Sequence, residues 1–154
     1  MATLDNVTYD ELTIGQTASY SKTIRERDVE LFAAVSGDVN PVHLDADYAA
    51  TTRFGERIAH GMLTGALVSA ALAMRLPGPG TVYLGQSLRF RTPVKIGDTV
   101  TVELEVTDKQ PRRGTASIDC KVYNQDRQLV ASGSADVMPP TEKLSIAPPR
   151  LPEP

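Results

Sequence analysis

The stretch from Gly61 to Leu76 constrains this chain more than any other. It is built from Ala, Leu, Met, Val and Gly, interrupted only by Thr64, Ser69 and Arg75. Read as a helix, it is apolar around most of its circumference, and such a helix must be wrapped by other structure. It is shorter than the roughly 20 residues that span a bilayer, so no membrane partner is expected. Pro77-Gly78-Pro79-Gly80 stops it.

The C-terminal half of the chain supplies the wrapping. Residues 81–92 place Val82, Leu84, Leu88 and Phe90 in loose alternation, with Gly85 suited to a bulge. Residues 99–107 alternate strictly through Val100, Val102, Leu104 and Val106, and residues 116–124 through Ala116, Ile118, Cys120 and Val122. A last strand is expected over 128–137. Short turns at 96–98, 109–114 and 124–126 make these strands antiparallel. Residues 18–24 add a strand at the N-terminal end. An apolar helix and a run of sequential strands pack economically as an α+β domain, with a curved antiparallel sheet around a central helix. Such a sheet leaves an edge open, and pairing edges across a two-fold axis makes a homodimer the expected assembly.

Before the apolar helix, Thr23 and Glu26 have capping-box spacing, predicting a helix from about Ile24 with Val29, Phe32 and Ala33 on its apolar face. Gly37 is its natural C-cap. Asp45 is placed to cap a short helix over 46–52. From residue 139 the composition changes: six of the last 16 residues are Pro. Residues 139–154 therefore read as a disordered or extended tail behind a single domain of residues 1–138.

Composition excludes several functions. The net charge of −3 offers no broad basic surface for nucleic acid or anionic lipid, and with no Trp and 5% aromatics there is little to stack bases on. Cys120 is the sole cysteine, which suits a reducing cytoplasm and a buried hydrophobic role. No Cys/His cluster has zinc-ligand spacing, so no metal is expected. The N-terminus has no basic start leading into an apolar run, so no signal peptide is expected.

Chemistry concentrates in Gly37-Asp38-Val39-Asn40-Pro41-Val42-His43. Pro41 forbids a continuous helix and pushes Asn40 towards an extended conformation, so the backbone must turn back sharply. A carboxylate and an imidazole five positions apart can then face one volume and move the protons of a water. Taken alone, Asp38 could equally close a turn, with Asn40 bonding its own backbone. The only other histidine, His60, precedes Gly61 at a helix start, where the first amides lack intrahelical partners and carry partial positive charge. That suits a developing oxyanion.

Residues 32–45, Phe-Ala-Ala-Val-Ser-Gly-Asp-Val-Asn-Pro-Val-His-Leu-Asp, together with Ile58-Ala59-His60-Gly61-Met62-Leu63, resemble the MaoC-like (R)-specific enoyl-CoA hydratases. Tyr83–Phe90, Pro93-Val94 and Gly97-Asp98 resemble the same family's strand region, and the likeness runs from Gly15 to Val137. It implies a hot-dog fold and the hydration of trans-2-enoyl-CoA to (R)-3-hydroxyacyl-CoA, without a cofactor. Its closest form is the short, single-hot-dog type that feeds polyester synthesis. It implies that Asp38 and His43 are the catalytic pair, that Asn40 orients them, and that the Gly61 N–H is the oxyanion contact. It also implies that Ser69 lies near the catalytic pocket. Leu72 shares a helix face with Ser69 at i, i+3, which makes it the candidate to line the acyl tunnel. A hot-dog acyl-CoA thioesterase and a non-catalytic acyl-CoA-binding module are the competing readings. Arg89, Arg91, Lys95, Arg112 and Arg113 are available for the CoA phosphates, although strand-face charges usually sit in solvent.

Overall fold

The computed structural model describes residues 2–153. Its elements run β1 (Leu4–Asp5), β2 (Thr17–Thr23), α1 (Glu26–Ser36), α2 (Pro41–Leu44), α3 (Ala46–Ala50), α4 (Gly61–Met74), β3 (Val82–Phe90), β4 (Thr99–Gln110), β5 (Thr115–Tyr123), β6 (Leu129–Met138) and β7 (Ser145–Ile146). Five strands form one antiparallel sheet in the order β2-β4-β5-β6-β3. This is the expected α+β hot-dog architecture, with α4 lying on the concave face.

The alternating positions do what their period requires. Val100, Val102, Leu104 and Val106 of β4 and Ala116, Ile118, Cys120 and Val122 of β5 are all buried, and they meet Leu63, Leu67, Val68, Ala71 and Leu72 of α4. Burial pushes the Cys120 thiol up to about 11, consistent with a side chain that serves as core. The β3–β6 register shifts between Tyr83 and Gly85, where the sequence suited a bulge.

Three expectations are corrected. α4 is not wrapped on every side: Met62, Ala66, Ala73 and Met74 are exposed, a stripe at helical spacing that no element of this chain covers among the described residues. The capping box forms later than predicted, because β2 claims Thr23, whose hydroxyl bonds that of Thr99 at 2.8 Å. Helix α1 starts at Glu26 instead, with the Arg25 N–H donating to Asp28 Oδ2 at 2.8 Å.

The third correction concerns the proline-rich segment, whose first half belongs to the fold. β7 pairs with β1, and Pro139 and Pro140 are buried. The buried Asn6 side chain organises this junction. Its Nδ2 donates to the Pro79 and Glu142 carbonyls at 3.1 and 2.9 Å, and its Oδ1 accepts from the Leu144 N–H at 2.9 Å. Beyond Ile146 the described chain is exposed and lacks regular structure.

Gly133 of β6 sets how closely β3 can approach. A Cβ there would stand 1.8 Å from the Ser87 carbonyl oxygen, a backbone atom that cannot swing aside. Gly133→Ala is therefore expected to destabilise the protein by about 1–3 kcal/mol or more, as overpacking does. The measurement is the urea midpoint, and an unchanged midpoint would show that β3 has room to move.

Candidate active site

The site is assembled where the chain leaves α1, turns through α2 and later enters α4. Gly37 ends α1 in the left-handed conformation, at φ 80°, with its N–H on the Ala33 carbonyl. This turns Asp38 off the helix axis, as the sequence predicted. Asp38 is then tied down by its backbone and one carboxylate oxygen. Its N–H donates to Ser36 Oγ at 3.1 Å, and its Oδ1 accepts the Asn40 N–H at 3.2 Å. Oδ2 remains available.

Asn40 takes the extended conformation imposed by Pro41, at ψ 129°, and its Oδ1 accepts the Val42 N–H at 3.2 Å as the N-cap of α2. Pro41 occupies the first helical turn, where its missing N–H costs nothing. This single turn of helix carries His43. The imidazole is buried, and its Nδ1 lies 2.8 Å from the Ile58 carbonyl. A carbonyl can only accept, so Nδ1 bears the hydrogen and Nε2 presents a lone pair. Arg57 braces the turn from behind: its Nε donates to the His43 carbonyl at 2.7 Å and its guanidinium pairs with Glu26 at 2.6 Å.

His43 Nε2 and Asp38 Oδ2 are 3.9 Å apart. That is too long for a direct hydrogen bond and leaves room for one oxygen to touch both groups. The Asp38 side chain is half exposed whereas that of His43 is 10% exposed, so the pair has a wet side and a dry side. The His60 ring stacks on His43 at 3.8 Å between centroids, with 28° between planes. Asp38, His43 and His60 each place a potential ligand atom within 4.8 Å of the others.

Gly61 is the first residue of α4, and its amide belongs to the orphan donors of the helix N-terminus. Beside it lies a cavity of about 280 Å³ bordered by Phe54, His60, Gly61, Thr64 and Phe90, with Arg53 and Arg91 at its rim. A Cβ at Gly61 would stand 3.4 Å from the Phe90 ring, so any side chain here would point into the cavity against that ring. Asp38, Asn40 and His43 lie together at α2, and His60 joins them to the start of α4. Of the sequence-assigned residues only Gly61 lines the cavity: Asp38, Asn40 and His43 stand beside it behind His60, Ser69 is half-buried two turns along α4, and Leu72 is fully buried core. Sequence reasoning missed the His60 side chain and Arg57. The scarcity of histidine was a signal for the first; a single Arg in a loop gave none for the second.

The fold and this cluster define a hot-dog protein with a close Asp/His pair near the N-terminus of its central helix. The chain belongs to the family described as the MaoC like domain, whose model matches residues 11–126. It is 48% identical over 134 residues to an (R)-specific enoyl-CoA hydratase of Rhodospirillum rubrum, covering 86% of this chain and 91% of the relative. An enzyme of the same description from Aeromonas caviae is 45% identical over 129 residues, covering 84% and 96%. The structure of R-hydratase PhaJ1 from Pseudomonas aeruginosa superposes with a TM-score of 0.94 at 57% identity, covering 99% of this chain and 97% of that one.

Because Asn40 caps the turn that carries His43, Asn40→Ala is expected to lower stability by about 0.5–2 kcal/mol. Chemical denaturation measures this, and a loss near zero would mean that Pro41 alone holds α2.

Proposed function

We propose that the protein is an (R)-specific enoyl-CoA hydratase, which adds water across the double bond of a trans-2-enoyl-CoA and catalyses the reverse dehydration. One observation carries the reading: Asp38 Oδ2 and His43 Nε2 lie 3.9 Å apart, a gap that one bridging water oxygen can span. The hydratases of Rhodospirillum rubrum and Aeromonas caviae and the solved R-hydratase support it.

The chemistry follows from the substrate. An enoyl thioester accepts a nucleophile at Cβ when its carbonyl is polarised. The Gly61 N–H and the partial positive charge of the α4 N-terminus stabilise the enolate oxygen as hydroxide adds. A single such donor is worth about 2.7–4 kcal/mol of barrier. The Asp38/His43 pair takes one proton from the water and returns one to Cα, and a single bridging water makes addition to one face natural. Both groups face the same gap, so the pair together serves as the base. The reaction moves only water and a proton, and no cofactor or metal enters it.

The remaining assignments complete the picture. Arg53 and Arg91 at the cavity rim suit the phosphates of CoA. Ser69, eight residues beyond Gly61 and thus about 12 Å along the helix, is assigned to the far, acyl end beyond the cavity, with Leu72 as core directly behind it. The exposed stripe of α4 and the exposed apolar residues Val82, Leu84 and Phe90 on the edge strand β3 are covered by a second copy in a homodimer. The free, buried Cys120 suits the cytoplasm. No helix among the described residues is long and apolar enough to cross a membrane.

Asp38→Asn and His43→Gln should each keep the native far-ultraviolet circular dichroism and lose about 10²–10⁴-fold in crotonyl-CoA hydration, monitored by loss of enoyl absorbance. Near-normal rates in both variants would refute the pair, and release of free thiol in place of hydration would identify a thioesterase. Leu72→Ala should lower stability by about 2–5 kcal/mol, because the side chain is core. It should also raise turnover of octenoyl-CoA relative to crotonyl-CoA. An unchanged chain-length profile removes Leu72 from the acyl site.

A further inference from the structure

Two buried side-chain polar atoms among the described residues lack a hydrogen-bond partner, Tyr9 Oη and His60 Nδ1, and of these only His60 lies at the candidate site. His60 is 2% exposed, and its Nε2 lies 2.9 Å from the backbone carbonyl of Asp38. The carbonyl can only accept, so Nε2 carries the hydrogen and Nδ1 carries a lone pair. That Nδ1 is buried with no hydrogen-bond partner among the described residues. Buried unsatisfied atoms are rare in folded proteins and call for an explanation. A core position chosen for packing alone would be better served by Phe or Leu.

The ring is held on both faces. Phe32 of α1 lies against it, with centroids 4.9 Å apart and planes tilted by 54°, and His43 stacks on it at 3.8 Å. His60 therefore touches both members of the acid–base pair, Asp38 by a hydrogen bond and His43 by ring contact. Its backbone does something else: as the N-cap of α4 it immediately precedes the Gly61 amide. No other described residue joins Asp38, His43 and the α4 N-terminus.

The geometry points to His60 as a positioning residue that fixes the Asp38/His43 pair relative to the Gly61 amide. This role rests on the protein being a hydratase. Water adds at Cβ while charge develops on the carbonyl oxygen, so the pair and the amide must be held at a fixed spacing. Near-attack geometry tolerates little error, and a misplacement of about 1 Å can cost 10²-fold in rate. His60 sets that spacing because its side chain grips the loop carrying Asp38 while its main chain begins the helix that offers the amide. Its Nε2 is engaged by the Asp38 carbonyl and its ring by His43, so its effect passes through Asp38 and His43.

Three variants separate the ring from the donor. His60→Phe keeps a ring between Phe32 and His43 and removes the hydrogen bond to Asp38. His60→Gln places an amide N–H near the position of Nε2 and removes the ring. His60→Phe combined with Asp38→Asn tests whether the effect runs through Asp38. With crotonyl-CoA, His60→Phe should lose at least about ten-fold in kcat with KM within about two-fold of wild type, because positioning acts on the chemical step. His60→Gln should recover most of the loss. In the Asp38→Asn background, His60→Phe should cause little further loss, the non-additivity expected of residues acting as one unit. Wild-type kcat in His60→Phe, failure of Gln to recover activity, or fully multiplicative losses in the double variant would each overturn the proposal. Its failure is distinct from that of the functional reading. A wild-type protein that does not hydrate crotonyl-CoA sinks the hydratase assignment. Active wild type, dead Asp38→Asn and unaffected His60→Phe sink the positioning role alone.

Discussion

The burial of α4 against the sheet is the constraint on which everything else depends. Leu63, Leu67, Val68, Ala71 and Leu72 are withdrawn from water against β2, β4 and β5, and each large aliphatic side chain so buried contributes about 1.5–3 kcal/mol. A helix anchored by this many contacts cannot slide along its axis without breaking the interdigitation of the core. Its N-terminus is consequently a fixed point, and the Gly61 amide inherits that fixity. The loop carrying Asp38 and His43 has no such core of its own. It borrows order through three short links to the helix entrance and its neighbours: His60 to the Asp38 carbonyl, His43 to the Ile58 carbonyl, and the Ala59 N–H to the Val94 carbonyl at 2.7 Å.

The links also explain the order of the elements. Residues 53–59 form a loop without regular structure, yet Ile58 pairs with Lys95 and donates to the Val42 carbonyl. That loop is the strap between the turn carrying His43 and the segment after β3. Its backbone groups, and not its side chains, hold His43 in the tautomer that leaves Nε2 free. The polar end of the site is thus built largely from main-chain carbonyls, which are indifferent to the side chains attached to them.

Much of this was legible in the sequence because it is periodic or punctuated. Alternation located β4 and β5, Gly37 marked the end of α1, and Pro41 marked the turn that brings Asp38 and His43 together. The illegible parts are those that require a distant partner. Thr23 has the right spacing for a cap, and nothing local reveals that Thr99 will take its hydroxyl into a strand pair. The uncovered stripe of α4 looks identical in sequence to the covered one, since Met62, Ala66 and Ala73 are as apolar as their neighbours. The His60 side chain was unreadable for the same reason: its grip on Asp38 is made across 22 residues to a carbonyl that every residue has.

The junction around Asn6 unites the two ends of the polypeptide. Leu4 lies opposite Ile146 and Asp5 opposite Ser145, and the Lys143 ammonium bonds both the Asn6 carbonyl and Glu11. Each terminus is the other's only strand partner among the described residues, so the two are energetically one element although they are farthest apart in the chain. Trimming either end releases both, and the loss is shared by the Pro77–Gly80 turn that Asn6 grips through the Pro79 carbonyl. That turn is the exit of α4, which makes the far end of the central helix answerable to the chain termini while its near end answers to the active site.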